Sequence, residues 1–309
     1  MSRRAVLAIL AGAGISLLAP TFALAQTNAN TAPQTSKANG MTKNAPKTGY
    51  ASVNGLKMYY EVHGAGRPLL LLHGGFMSID AMGAILPALA KIRQVIAVEL
   101  EGHGRAADLD RPLSLGQMAE DVVDLLGQLK IKQADIFGFS MGGGVALRIA
   151  IQNPDLVRKL VVVSSGYSNE GAYPSITASW PNMSPEWFVG TPMETEYTRL
   201  APNPKHFSVF VGKMKDMMLS ATDLPASDIQ SIKAPTLLVL GDADIIRPEH
   251  AVEMFRLLGG ARPDGGMGGV PDSQLAVLPG TTHFSIITRT DLLMPVVTPF
   301  LDAPMPKAK

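Results

Sequence analysis

Cysteine is absent from the 309 residues, which excludes disulfides, a thiol nucleophile, Cys-ligated metals and a cysteine-linked lipid. Charge of one sign is also lacking: 27 Lys and Arg face 26 Asp and Glu, with no basic run in the body of the chain. Nothing therefore invites nucleic acid or an anionic membrane surface. No Asp-rich or His-rich cluster has metal-ligand spacing, so neither a metal nor another cofactor is expected. There is no internal repeat. Aromatic residues are sparse at 6%, with two tryptophans, and charged residues make up 17%. What the chain has instead is apolar bulk, 46% of all residues, enough to bury a large core.

The one long apolar stretch lies at the N-terminus. "MSRRAVLAILAGAGISLLAPTFALAQ" starts with Arg3 and Arg4, continues through apolar residues diluted by Gly and Ala, and ends in Ala23-Leu24-Ala25. This is the layout of an export signal cleaved after Ala25, and the paired arginines resemble a twin-arginine signal. The expectation is a periplasmic or extracellular protein whose mature form has no integral membrane segment. Removing residues 1–25 takes away two Arg and no acid, leaving 25 basic against 26 acidic residues. Residues 26–49 are rich in Asn, Thr, Ala and Pro without apolar periodicity, and read as a disordered tether.

Beyond Tyr50, short apolar runs alternate with helical patterns. "GLKMYYEVHG" alternates like a half-exposed hairpin strand, and "PLLLLHGG" is a strand buried on both faces and stopped by glycines. Helix "AMGAILPALAKI", strand "QVIAVEL" and turn "EGHGR" follow; "SLGQMAEDVVDLLGQL" is then a helix with Ser114 as its N-cap. Strands "ADIFGF", "KLVVVSS", "PTLLVLGD" and "SQLAVLPG" alternate with helices "MGGGVALRIAIQ", "EHAVEMFRLL" and one near "DLLMPVVTPFL". Such alternation implies an α/β fold with a mostly parallel central sheet flanked by helices. The core is expected over 50–166 and 231–303, with a tail at 304–309. Residues 167–230 interrupt the rhythm with Pro-bounded helical pieces, both tryptophans and five of the sixteen methionines. A Gly/Pro-rich insertion at 259–272 reads as a surface loop.

The chemistry is sought where buried strands end, because in open α/β sheets functional groups converge at the carboxyl ends of the strands. Ser140, in "IFGFSMGGGVAL", follows a strand and precedes a helix, with glycines at 138 and 142 where larger side chains would collide across the turn. A serine nucleophile needs a base, a carboxylate to orient it, and N–H donors for the oxyanion. His283 follows the last strand and supplies the base. "GDAD" supplies Asp242 and Asp244; Asp244, further out, is the better placed, and Asp242 is expected to bond turn amides. Gly75 and Met141 offer their backbone N–H groups as the oxyanion hole, with Phe76 as a substitute for the first.

These motifs together resemble the α/β-hydrolase family. "HGG" at 73–75, "EGHGR" at 101–105, "GFSMGG" at 138–143, "GDAD" at 241–244 and "GTTH" at 280–283 stand in the family's order and spacing. The resemblance implies the α/β-hydrolase fold with an inserted helical cap at 167–230, and a catalytic triad of Ser140, Asp244 and His283. Glu99 stands where the family more often has Asp, at a structural position. The expected substrate is a small or medium uncharged carboxylic ester or lactone, cleaved without a cofactor. Phe76, Trp180, Met183, Trp187 and Phe188 are the candidates to line the pocket. A perhydrolase or haloperoxidase, a C–C bond hydrolase, and a ligand-binding module on the same fold are the alternatives. His73 is expected to anchor its loop and His103 a Gly-rich turn, while His63, His206 and His250 show no partner pattern and read as surface or cap residues.

Overall fold

The structure, a computed structural model, describes residues 45–221, 223–263 and 269–306. The expected leader, the tether up to residue 44, the centre of the 259–272 insertion and residues 307–309 lie outside the described residues.

Eight strands form one sheet: β1 (Lys47–Val53), β2 (Leu56–His63), β3 (Arg67–Leu72), β4 (Arg93–Val98), β5 (Ala134–Phe139), β6 (Val157–Val163), β7 (Thr236–Ala243) and β8 (Gln274–Thr282). Their order is β1-β2-β4-β3-β5-β6-β7-β8. The first two strands form a hairpin, β2 also runs antiparallel to β4, and the remaining neighbours are parallel. Asn54-Gly55 turns the hairpin with φ of 46° and 84°, the left-handed pair whose twist suits a two-residue connection. β1 begins earlier than the sequence suggests. Lys47, Thr48 and Gly49, assigned to the tether, are strand residues paired with Val62, Glu61 and Tyr60, because β2 offers them a free edge whatever their composition.

Alternate side chains of the central strands serve two cores, one on each face. Leu70, Leu72, Ile136 and Val162 join one cluster; Leu69, Leu71, Phe137, Phe139, Val161 and Val163 join the other. Helices α1 (Ile85–Leu89), α2 (Leu115–Gln128) and α3 (Met141–Gln152) come from the first half of the chain. Ser114 caps α2 by accepting the Gln117 N–H, and Met118, Val122, Leu125 and Leu126 form its buried stripe. The five-residue α1 is much shorter than the helical pattern of 81–92 predicts, since Gly83 turns away at φ 47° ahead of it.

Residues between β6 and β7 contain no strand among the described residues. They form α4 (Pro174–Thr177), α5 (Pro192–Leu200), α6 (Phe207–Ser220) and α7 (Ala226–Ser231), joined by 3-10 turns. Phe188, Tyr197, Phe207, Phe210, Val211, Met214 and Met217 are buried in the same cluster as the α2–α3 face, so this insertion packs as an extension of the core. The chain closes with α8 (Pro248–Leu257) and α9 (Thr290–Asp302). Among the described residues no helix is long and apolar enough to cross a membrane.

Candidate active site

Ser140 leaves β5 with φ 51° and ψ −116°, a conformation that costs a residue with a side chain roughly 1–3 kcal/mol. Close packing holds it there. A Cβ on Gly138 would stand 2.4 Å from the Gly142 carbonyl, and one on Gly142 would stand 2.6 Å from the carbonyls of Leu72 and His73. Only glycine lets the start of α3 lie against the end of β3. The Ser140 N–H is satisfied by the Val163 carbonyl at 2.9 Å, which ties the turn to β6.

His283 follows β8 and is buried. Its Nε2 lies 2.9 Å from Ser140 Oγ and its Nδ1 lies 2.7 Å from Asp244 Oδ1. Asp244 follows β7 and is 7% exposed. It also accepts the Ile245 N–H at 2.7 Å, the Gly241 N–H at 3.2 Å and the Ser164 hydroxyl. Burial works to raise its pKa; the His283 contact, Ser164 and the Gly241 amide outweigh it and hold the carboxyl below the ordinary value. Asp242 accepts the N–H groups of Gly280 at 2.9 Å and Thr281 at 3.2 Å, bracing the loop that carries His283. Of the two aspartates, Asp244 alone bonds the histidine.

Ser164 was not singled out in the sequence, although it obeys the same rule as Ser140, standing directly after a buried run. Its φ of 52° turns the hydroxyl-bearing residue out of β6, and its N–H donates to Val239 at 2.8 Å. The signal was present in "KLVVVSS", but a serine after a strand has many uses.

Gly75 and Met141 are neighbours: a Cβ on Gly75 would lie 3.9 Å from the Met141 Cβ and 2.9 Å from the Met214 methyl of α6. Met141 is the first residue of α3, so its N–H has no partner within the helix. Phe76, with φ 59°, stacks on Phe188 at 4.6 Å and meets the edge of Phe210 at 5.4 Å. Met183 and Phe188 are buried in the cap, Trp187 is half-buried against the same cluster, and Trp180 is half-buried in a 3-10 turn. Of these five pocket candidates, Phe76 lines a cavity, which lies between the loop following Gly75 and the cap helices α5 and α6.

The other histidines sort clearly. His73 donates from Nδ1 to the Gly74 carbonyl at 2.8 Å and accepts the Leu100 N–H at 3.2 Å; its burial pushes the pKa down to about 4. His103 bonds the Glu101 carbonyl through Nδ1 at 2.9 Å, and burial first, then His73, push its pKa down to about 3. Glu99 is buried with its carboxylate against Arg105 and Gly104, and burial raises its pKa to about 7 despite that guanidinium. His250 corrects the surface reading. It is 2% exposed, accepts the Tyr167 N–H at 3.2 Å and stacks on the Tyr167 ring at 4.5 Å. Gly166 and Gly171 leave room for it, since a Cβ on either would fall within 3 Å of the ring. Among the described residues, no three His, Asp or Glu groups are placed to hold a metal ion.

Residues 67–225 match the sequence profile of the alpha/beta hydrolase fold. The chain belongs to the α/β-hydrolase family. This family member is 35% identical over 128 residues to 2-hydroxymuconate semialdehyde hydrolase of Pseudomonas sp. (strain CF600), a match covering 40% of this chain and 45% of that one. The chain thus spans less than half the length of several curated relatives that it matches. A longer match, 27% identical over 270 residues, covers 79% of this chain and 97% of the pimeloyl-[acyl-carrier protein] methyl ester esterase of Yersinia enterocolitica serotype O:8. Among solved structures, the enol-lactonase from Burkholderia xenovorans LB400 superposes with a TM-score of 0.62 at 20% identity, over 82% of this chain and 100% of that chain. At that identity the likeness speaks for the fold.

Proposed function

We propose that the protein is a cofactor-independent serine hydrolase of small or medium carboxylic esters or lactones. The observation that carries this is the continuous line from Ser140 Oγ through His283 to Asp244, at 2.9 Å and 2.7 Å, set at the carboxyl ends of three parallel strands. In this reading His283 Nε2 takes the Ser140 proton as Oγ attacks the carbonyl carbon. The Gly75 and Met141 N–H groups hold the oxyanion. His283 then hands its proton to the leaving alcohol oxygen, and an acyl-enzyme remains. Water, deprotonated by the same nitrogen, attacks that ester and releases the acid. Asp244 stays ionised and fixes the ring so that Nε2 faces the serine. The match to a methyl ester esterase along 79% of this chain supports this substrate class.

Phe76, Phe188, Met141 and Met214 pack in one apolar cluster beside Gly75, surroundings that suit an uncharged acyl chain. Hydrolysis of p-nitrophenyl esters should therefore rise with acyl length from acetate up to a limit; a flat or falling series would remove this assignment of the acyl group. A fluorophosphonate probe should add once to the wild type and not to Ser140→Ala, as read by intact mass. No adduct on folded protein would overturn the serine mechanism and leave a binding module. C–C bond hydrolysis is the second reading, favoured by the match to 2-hydroxymuconate semialdehyde hydrolase, and product analysis separates it from ester cleavage. We propose further that the enzyme is exported; N-terminal sequencing of the mature protein should begin at Gln26.

A further inference from the structure

One buried side-chain atom stands without a hydrogen-bond partner among the described residues, Nε2 of His103. The residue is 1% exposed, and Nδ1 is committed to the Glu101 carbonyl at 2.9 Å. Nδ1 must carry the proton to make that bond, so Nε2 is a bare acceptor. Buried acceptors of this kind are rarely left empty. His103 lines the cavity between the cap and the loop that continues from Gly75. That cavity offers about 10 Å³ to the centre of a water molecule, room for a single O–H group. Its walls are Phe76, Phe210 and the ring of Tyr197, whose hydroxyl is a polar group of the lining, and the Ser78 hydroxyl already donates to Glu196 of α5. No donor on the lining pairs with His103 Nε2.

The geometry points to a substrate subsite here, in which His103 Nε2 accepts a hydrogen bond from a hydroxyl group carried by the ester or lactone. The subsite deepens the hydrolase reading and rests on Ser140 as the nucleophile. Phe76 and Ser78 stand one and three residues beyond Gly75, at most roughly 10 Å of chain, so a carbonyl held at Gly75 and Met141 is within a short arm of the cavity. The ring is held neutral by burial, which keeps the acceptor available across the working pH range. A site built around a buried acceptor rejects the analogue that lacks the donor, because the acceptor is then desolvated and unpaired. A trapped water is the other source of an O–H group, and it gives no preference among substrates.

Matched pairs decide between them: methyl hexanoate against methyl 6-hydroxyhexanoate, and propyl butanoate against 3-hydroxypropyl butanoate. Dissociation constants are measured by calorimetry on Ser140→Ala, and kcat/KM on the wild type. In at least one pair the hydroxylated ester should be preferred tenfold or more in both. His103→Phe should bring that ratio to within twofold of one, and His103→Gln, which returns an acceptor near the Nε2 position, should restore most of it. Ratios near one in the parent proteins, or a preference that His103→Phe leaves intact, overturn the subsite and assign the cavity to water. If the wild type cleaves none of the esters, the hydrolase reading fails, and the dissociation constants on Ser140→Ala still decide the subsite.

Discussion

β5 and β6 lie side by side, and their two ends are put to opposite uses. At the amino end Asp135 and Arg158 form a buried bidentate pair at 2.6 Å, and Arg158 also donates to the Leu301 carbonyl at 2.8 Å. Next to it Lys159 donates to the carbonyls of Phe300 and Ala303, both at 2.6 Å, closing the end of α9. At the carboxyl end the same strands deliver Ser140 and Ser164, each in the left-handed half of backbone space. Charge is spent at one end to fasten the last helix. At the other, backbone strain aims hydroxyls at a histidine and an aspartate. Groups that hold the fold and groups proposed to perform chemistry are thus separated by the length of a strand.

Mutations at the two ends should fail in different ways. Ser140→Ala should lower ester hydrolysis by about 10⁴-fold or more while leaving the melting temperature near that of the wild type. A large loss of stability would show that the elbow serine is part of the fold's scaffolding. Arg158→Met strands a buried carboxylate and should cost roughly 3–5 kcal/mol in urea unfolding, with kcat/KM of the folded fraction unchanged within a few-fold. A drop in kcat/KM at full stability would break the separation.

The pH response belongs to the neighbouring loops. His73 and His103 have folded pKa values of about 4 and about 3, against 6.5 for the free side chain. Below pH 6.5 the unfolded chain binds protons that the folded chain refuses, so stability falls as pH falls toward those values. Each should remove about 2 kcal/mol at pH 5 relative to pH 8. A denaturation midpoint that stays level between pH 8 and pH 5 would contradict the assignment. The smallest effect is expected from Ser164→Ala. Loss of one of Asp244's partners should reduce kcat on the order of tenfold, about 1.4 kcal/mol, with KM and stability little altered. Unchanged kcat would make Ser164 a mere filler of the turn.

Much of the site was legible because its residues follow uninterrupted apolar runs, and such runs mark buried parallel strands. Ser140, His283 and the pair Asp242 and Asp244 all stand in that position, and the further reach of Asp244 is what brings it to the ring. Ser164 has the same signature, yet nothing local separates it from any serine after a strand. The buried place of His250 is illegible for a different reason. Its burial comes from Tyr167 and two glycines some 80 residues away, and no local pattern encodes that packing. The short α1 and the early start of β1 show local signals yielding to a left-handed glycine and to a free sheet edge. The internal arrangement of the cap was the least legible part, since α4 to α7 are short pieces placed by contacts such as Phe188 on Phe76.

His283 and Ser140 are 143 residues apart in the chain, and the histidine follows the last strand of the sheet. During synthesis Ser140, the Gly75 loop and the cap all emerge before His283. Until β8 docks beside β7, Ser140 has no partner to take its proton. On the proposed mechanism the growing chain would therefore carry an unarmed serine, and completion of the sheet would be the event that switches it on.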